Sequence, residues 1–180
     1  MTLAERVVEL HRALRAADVP HAFGGALALA YWTLEPRGTR DIDLNVFVPA
    51  AECAGALASL PAGVERPAGT EERIAREGQA RLWWEGTPID LFFDYAPVHA
   101  DAARHARAVP FEGTEIPILG PVELVAFKAM FDRTRDWADI EAVVEAGAVD
   151  LDAVRATLRT MLEGGDSRFQ RLDEAVERAG

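Results

Sequence analysis

The sequence has a single cysteine and no long hydrophobic run. Cys53 is the only cysteine among 180 residues, so no disulfide can form within the chain. No apolar stretch approaches the roughly 20 residues that a membrane-spanning helix requires. The first residues, MTLAERVVELHRAL, have the periodicity of an amphipathic helix rather than the apolar centre of a signal sequence. We therefore expect a cytoplasmic protein that does not associate with a membrane.

Positive charge is also scarce. Nineteen Lys and Arg residues stand against thirty Asp and Glu, which gives a net charge of −11. Such a chain has no general attraction for a phosphate backbone or an anionic membrane surface, although a local basic cleft is compatible with it. The four histidines show no metal-ligand spacing with the cysteine or with one another. We expect His99 and His105 to be exposed to solvent.

The order of the apolar patterns predicts an α+β protein with a mixed sheet flanked by helices. The segment HAF-GG-ALALAYW predicts a short strand, a glycine turn and a helix, and strict alternation predicts a strand from residue 41 onward. Two hairpins follow, in ARLWWEGTPIDLFFDY and FEGTEIPIL, and the chain from residue 121 is helical throughout. We expect a catalytic core over 1–120 and a helical region over 121–180 that packs on it.

The segment RGTRDIDLNVFV places two carboxylates at the start of an apolar strand. Asp41 and Asp43 lie on one strand face about 7 Å apart, where they repel each other unless a cation neutralises them. This span can bracket one or two divalent cations, and Mg²⁺ takes a few carboxylates together with substrate phosphates. Asp90, the lone acidic residue in the apolar strand TPIDLFF, is the candidate third carboxylate.

A purely structural interpretation of these residues is also open. Asp41 would cap the strand end, Asp43 would pair with a neighbouring arginine, and Asp90 would face water at an edge. The pair Gly24-Gly25 favours the metal site, because it lies between a strand and the start of a helix. Glycine there lets the backbone approach a phosphate closely, and the helix N-terminus supplies free N–H donors.

Two stretches resemble known families. GGALALAYWTLEPRGTRDIDLNV followed by PIDLFF resembles the nucleotidyltransferase superfamily, which shares the DNA polymerase β-like fold. Downstream, ELVAFKAMFDRTRDWADI resembles the Lys motif and the R-x-(K/R)-D-x-x-D motif of AbiEii-type toxin nucleotidyltransferases, among which are the MenT-like toxins. The resemblance covers Phe23 to Ile140. This sequence differs from the family at the glycine turn, where many members have Gly-Ser in place of Gly24-Gly25.

The resemblance implies roles for the residues around the strand carboxylates. Gly24 and Gly25 would hold the triphosphate of a nucleotide, and Asp41 and Asp43 would bind Mg²⁺. Asp90 would complete the metal site or act as the general base. These five residues form the predicted centre of catalysis.

The resemblance also implies roles for charged residues outside that centre. Lys128 would reach a phosphate, and Asp136 would assist catalysis or hold the basic residues, with Asp139 one helical turn further on. Arg37 would contact the nucleotide, whereas Arg40 would form a structural ion pair. The alternative is a purely structural role, in which Asp136 and Asp139 lie on the solvent-exposed face of a helix.

The implied activity is transfer of a nucleoside monophosphate from a nucleoside triphosphate to an acceptor hydroxyl, with Mg²⁺ as cofactor. One acceptor is tRNA, modified by a toxin that a cognate antitoxin protein restrains, but the acidic composition speaks against an RNA target. A second possibility is a small molecule, as in the adenylyltransferases that inactivate aminoglycosides or lincosamides, where negative charge suits a cationic drug. A third is a binding protein that retained the fold without the catalysis.

Overall fold

The computed structural model describes residues 1–180, which form nine α-helices and seven strands. The elements in chain order are α1 (Leu3–Ala16), β1 (His21–Phe23), α2 (Gly25–Thr33), β2 (Ile42–Pro49), α3 (Cys53–Ser59), β3 (Val64–Glu65), α4 (Thr70–Glu77), β4 (Gln79–Trp84), β5 (Thr87–Asp94), α5 (Val98–His105), β6 (Arg107–Phe111), β7 (Thr114–Ile118), α6 (Pro121–Phe131), α7 (Thr134–Glu145), α8 (Leu151–Met161) and α9 (Ser167–Ala179). None of these helices combines the length and the apolar character needed to cross a membrane.

The seven strands form one mixed sheet in the order β3-β4-β5-β2-β1-β7-β6. The central pair β2 and β5 is parallel, whereas β1 runs antiparallel to β2, and the pairs β4–β5 and β6–β7 are antiparallel hairpins. The strand, glycine turn and helix predicted around Gly24 are present, as are both hairpins. The predicted α+β class is confirmed. The short strand β3 lies in a segment that carries no strand pattern.

Both hairpins turn through two residues that have positive φ angles. Glu85 and Gly86 have φ of 46° and 81°, and Glu112 and Gly113 have φ of 45° and 74°. Positive φ at both central residues is the signature of the type I′ turn, whose twist matches that of the strands it joins. A two-residue turn also fixes the register of the hairpin, so that Arg81 lies directly opposite Asp90.

The two faces of the central strands differ sharply in polarity. The apolar face is almost wholly buried and consists of Ile42, Leu44, Val46, Leu82, Trp84, Ile89, Leu91 and Phe93. Because side chains alternate along a strand, the intervening residues point to the opposite face. That face holds the predicted carboxylates Asp43 and Asp90, both partly exposed.

The chain divides into two compact units. The first comprises Met1–Gly25 and Gly38–Leu119 and contains the sheet. The second comprises Gly120–Gly180 together with Ala26–Arg37, a segment that the sequence prediction placed with the sheet. Within the second unit α6 packs against α7, α8 and α9, and α7 packs against α9. Its buried residues include Leu124, Trp137, Ile140, Leu158 and Leu172.

Three histidines of the first unit are buried. The Nδ1 atom of His21 lies 2.8 Å from the carbonyl oxygen of Val19 and donates to it, so its Nε2 accepts from Nδ1 of His11 at 2.9 Å. His99 is only 2% exposed, and its Nδ1 lies 3.1 Å from the carbonyl oxygen of Ala96. The prediction that His99 is solvated was wrong, because α5 turns this residue towards the core. Burial lowers the pKa of all three imidazoles.

We expect the stability of the protein to fall between pH 7 and pH 5. A histidine whose folded pKa lies below its ordinary value of about 6.5 costs nothing above that pH, where both states are neutral. As the pH drops through 6.5, the unfolded chain takes up protons that the folded chain resists. The urea midpoint should therefore decrease over this range. His99→Gln should reduce the decrease, and His105→Gln, at an exposed site, should not; a flat midpoint would contradict the assignment.

Candidate active site on the carboxylate row

Neighbouring strands of the sheet bring three of the predicted site residues, Asp43, Asp90 and Gly24, into one row with Arg81. Asp43 on β2 is the direct parallel partner of Asp90 on β5, and Arg81 on β4 is the antiparallel partner of Asp90. On the other side, the N–H of Gly24 donates to the carbonyl oxygen of Asp43 at 2.9 Å. Adjacent strands lie about 4.8 Å apart, so the row runs Arg81, Asp90, Asp43 and Gly24 across the sheet. We call these four residues the carboxylate row.

Arg81 is a member of the row that the sequence prediction missed. Its Nε donates to Oδ1 of Asp90 and its Nη2 donates to Oδ2, both at 2.7 Å. The hydrogen bonds to Asp90, the charge of that carboxylate, and the more distant charges of Asp41 and Asp43 together raise the pKa of Arg81. The guanidinium is thus a cation held in the field of three carboxylates. The dipeptide Glu85-Gly86 was the signal that could have identified it, since a type I′ turn there fixes this pairing.

Asp41 lies just before β2 and is positioned by Thr39. The Thr39 hydroxyl donates to Oδ1 of Asp41, and the N–H of Asp41 contacts the same hydroxyl at 3.3 Å. Threonine hydroxyls commonly bond to neighbouring polar groups in this way in turns. The contact orients the carboxylate of Asp41 directly before the first residue of β2. Arg40, the expected partner of a structural ion pair, is exposed and forms none.

Asp43 lies against the glycine turn. A Cβ atom built on Gly25 would lie 1.7 Å from Oδ2 of Asp43, and the φ angle of Gly25 is +50°. Only glycine satisfies both conditions, because any side chain would overlap the carboxylate and would strain the backbone. Gly24 is less restricted, with its closest neighbours, in Asn45 and Leu119, at 3.0 Å. The second glycine of the pair is therefore the one that the carboxylate requires.

The oxygen donors of Asp41 and of the carboxylate row are of the kind that a hard divalent cation prefers. No group of three or more His, Cys, Asp or Glu side chains is arranged to hold a metal ion by itself. Mg²⁺ is usually bound through one or two carboxylates, with waters and substrate phosphates completing its octahedron. Asp41 and Asp43 supply such carboxylates, and the cation that the structure places beside Asp90 is the guanidinium of Arg81. Asp41 and Asp43 are therefore the residues that would hold Mg²⁺.

The predicted residues of the second unit form a separate ion-pair network. Lys128 Nζ lies 2.7 Å from Oδ2 of Asp139 and 3.6 Å from Oδ1 of Asp136, and it is only 8% exposed. Nη1 of Arg37 lies 3.3 Å from Oδ1 of Asp139. The four residues that the family resemblance singled out beyond the strands are thus linked in a chain of ion pairs, from Arg37 through Asp139 and Lys128 to Asp136. We call them the lysine network.

Asp136 is the most buried member of the lysine network, with no exposed surface. Its Oδ2 accepts from the backbone N–H and the Nε of Arg133, and its Oδ1 accepts from Nη2 of the same residue. Because Asp136 lies in the first turn of α7, this carboxylate also satisfies a donor at the helix N-terminus. These contacts are those of a residue that holds Lys128 and Arg133 in place.

Several solved structures share the fold of this chain. A solution structure of the antibiotic-resistance factor ANT(2'')-Ia aligns with a TM-score of 0.58 at 12% identity, covering 97% of both chains. A crystal structure of ANT(2'')-Ia in complex with adenylyl-2''-tobramycin aligns at 0.54 with 12% identity over 100% of both chains. A protein of H. pylori, provisionally assigned as a nucleotidyltransferase, aligns at 0.50 with 15% identity, covering 97% of this chain and 90% of its own. The chain therefore has the nucleotidyltransferase fold.

No protein-family profile matches the sequence, and no curated protein matches it.

Proposed function

We propose that the protein is a Mg²⁺-dependent nucleotidyltransferase that moves a nucleoside monophosphate from a nucleoside triphosphate to an acceptor hydroxyl. The observation that carries this proposal is the carboxylate row, in which Asp43 and Asp90 are direct cross-strand neighbours beside the Gly24-Gly25 turn. Asp41 adds a third carboxylate at the start of β2. Two adjacent carboxylates on one sheet face repel each other, and a bound cation would offset this repulsion together with the guanidinium of Arg81.

In the proposed reaction the acceptor oxygen attacks the α-phosphorus of the triphosphate. The bond from that phosphorus to the bridging oxygen breaks, pyrophosphate leaves, and a carboxylate takes the acceptor proton. Asp90 is the candidate base, and Asp41 and Asp43 hold the cation. Bound Mg²⁺ supplies charge stabilisation for the attacking and leaving oxygens. The protein's part is positioning and neutralisation, which dominate catalysis of phosphoryl transfer.

The backbone of the Gly24-Gly25 turn would also contact the triphosphate. Gly25 has no side chain between its backbone and the carboxylate of Asp43, so a phosphate bound to the same cation can approach the chain closely. In the lysine network, Lys128 and Arg37 are the candidate phosphate contacts. Both are paired with Asp139, so an incoming phosphate would compete with that carboxylate for them.

A small-molecule acceptor is the favoured substrate class. The net charge of −11 gives no attraction for a polyanion such as tRNA and attracts a cationic molecule. ANT(2'')-Ia, which shares the fold over the whole length, is described as an antibiotic-resistance factor and has been solved with an adenylylated tobramycin. We therefore propose a polyamine sugar or a similar cationic alcohol as the acceptor.

A toxin of the AbiEii and MenT kind is the second candidate function. It is favoured by the lysine network, since Lys128, Asp136 and Asp139 match that group's late motif and are in contact. Such a toxin would modify tRNA and would be restrained by an antitoxin protein. Growth arrest on expression, relieved by an adjacent gene product, would support this candidate. Protection of cells from an aminoglycoside without arrest would support the small-molecule acceptor.

The proposal is tested by calorimetric titration of each nucleoside triphosphate with Mg²⁺. We expect saturable binding of at least one triphosphate to the wild-type protein, and affinity at least tenfold weaker when Mg²⁺ is withdrawn. The variant Asp41→Asn/Asp43→Asn should lose the part of the triphosphate affinity that depends on Mg²⁺, because neutral amides are poor ligands for this ion.

The matched control for this double variant is Asp101→Asn/Asp152→Asn, at two carboxylates outside the carboxylate row that form surface ion pairs. It changes the net charge by the same amount and should bind as the wild type does. If no form of the protein binds triphosphate at millimolar concentration, the proposal is contradicted and the non-catalytic binding protein is the preferred alternative.

A further inference from the structure

Arg81 is the positively charged member of the carboxylate row. Both of its hydrogen bonds go to Asp90, one to each carboxylate oxygen, in the parallel geometry that makes such pairs strong. The type I′ turn at Glu85-Gly86 fixes the register, so the pairing does not depend on a flexible loop. Its side chain is 51% exposed, which leaves it free to swing away, whereas that of Asp90 is only 19% exposed.

We propose that Arg81 is the resident counter-ion of the carboxylate row and that it selects for a metal–triphosphate complex over the free metal ion. This inference rests on the proposed function. Without a ligand, the guanidinium offsets the mutual repulsion of Asp41, Asp43 and Asp90. A free divalent cation held by Asp41 and Asp43 is repelled by this positive charge. A metal–triphosphate complex is a net anion, and the same charge attracts it.

The opposite signs of these two effects provide the test. Arg81→Gln removes the charge, so the affinity for free Mn²⁺ should rise by about tenfold, the effect of one unit charge at a neighbouring strand position. The affinity for Mn²⁺ bound to the α,β-methylene analogue of ATP should fall by several-fold in the same variant. Free Mn²⁺ is measured by electron paramagnetic resonance, and the nucleotide complex by calorimetry.

Three further variants separate charge from other causes. Arg81→Lys keeps the charge and loses the two-pronged contact, so it should resemble the wild type in both measurements. Arg76→Gln removes a more exposed arginine that pairs with Glu77, and it should change neither affinity. In an Asp90→Asn background the guanidinium has lost its carboxylate partner, so Arg81→Gln should raise the affinity for free Mn²⁺ at least as strongly.

The outcomes distinguish this inference from the proposed function. If Arg81→Gln changes both affinities in the same direction, or changes neither, the selection by Arg81 is wrong while the nucleotidyltransferase assignment stands. If free Mn²⁺ binds more tightly to Arg81→Gln but no form binds the nucleotide complex, the counter-ion role stands and the proposed function falls. If no form binds Mn²⁺ with or without nucleotide, both are overturned.

Discussion

Replacing Asp136 by alanine should destabilise the second unit by about 3–5 kcal/mol, the cost of removing one partner from a buried ion pair. Asp136 is fully buried, and its two oxygens serve the side chain and backbone of Arg133 and the ammonium group of Lys128. Without it, Lys128 keeps only Asp139, and the first turn of α7 loses an acceptor. Urea unfolding measures the change, followed by circular dichroism and by tryptophan fluorescence.

Two control variants test whether the effect of Asp136→Ala comes from the burial of the carboxylate. The alternatives are that it comes from its place in the first turn of a helix or from a catalytic role. Asp152→Ala removes a carboxylate from the first turn of α8, where the side chain is fully exposed, and should leave the urea midpoint nearly unchanged. Asp136→Asn keeps the side-chain volume but not the charge, and its urea midpoint should lie between those of Asp136→Ala and Asp152→Ala. A stable Asp136→Asn protein that has lost nucleotidyl transfer would instead support the catalytic role implied by the family resemblance.

The sheet face of the site could be predicted because strand alternation is a local property. Asp43 alternates with the buried Ile42 and Leu44, so its place on the opposite face follows from the strand period of two. The pairing of Asp43 with Asp90 could not be derived in the same way. These residues lie on parallel strands about fifty positions apart, and the register of such a pair is set by tertiary packing rather than by a turn.

The charged residues were harder to interpret than the apolar ones. In the sequence, Asp136 and Asp139 fit the polar face of a helix as well as they fit a buried network. Only the packing of α6 against α7 brings Lys128 to them. His99 was misplaced for a related reason, since the polar side chain of a short helix gives no indication of which face meets the sheet. Polar residues carry little periodic signal when they are satisfied inside the protein.

Gly25→Ala should abolish metal-dependent triphosphate binding, with an expected loss of at least a hundredfold. The new methyl group would lie 1.7 Å from Oδ2 of Asp43, so either the carboxylate or the turn must move. The φ angle of +50° adds strain, because a non-glycine residue in this region costs about 1–2 kcal/mol. Both displacements would separate Asp43 from the backbone that we propose receives the phosphates. Calorimetry with Mg²⁺ and triphosphate measures the loss.

Alanine substitutions at two other glycines test whether this effect is specific to Gly25. Gly38→Ala should bind triphosphate normally, since no atom lies within 4 Å of its added methyl group. Gly24→Ala should be intermediate, because its contacts are at 3.0 Å and its nearest neighbours are side-chain ends that can shift. Wild-type affinity in Gly25→Ala would mean that Asp43 moves without consequence. The carboxylate would then not be a metal ligand, and the structural interpretation of the DID segment would be preferred.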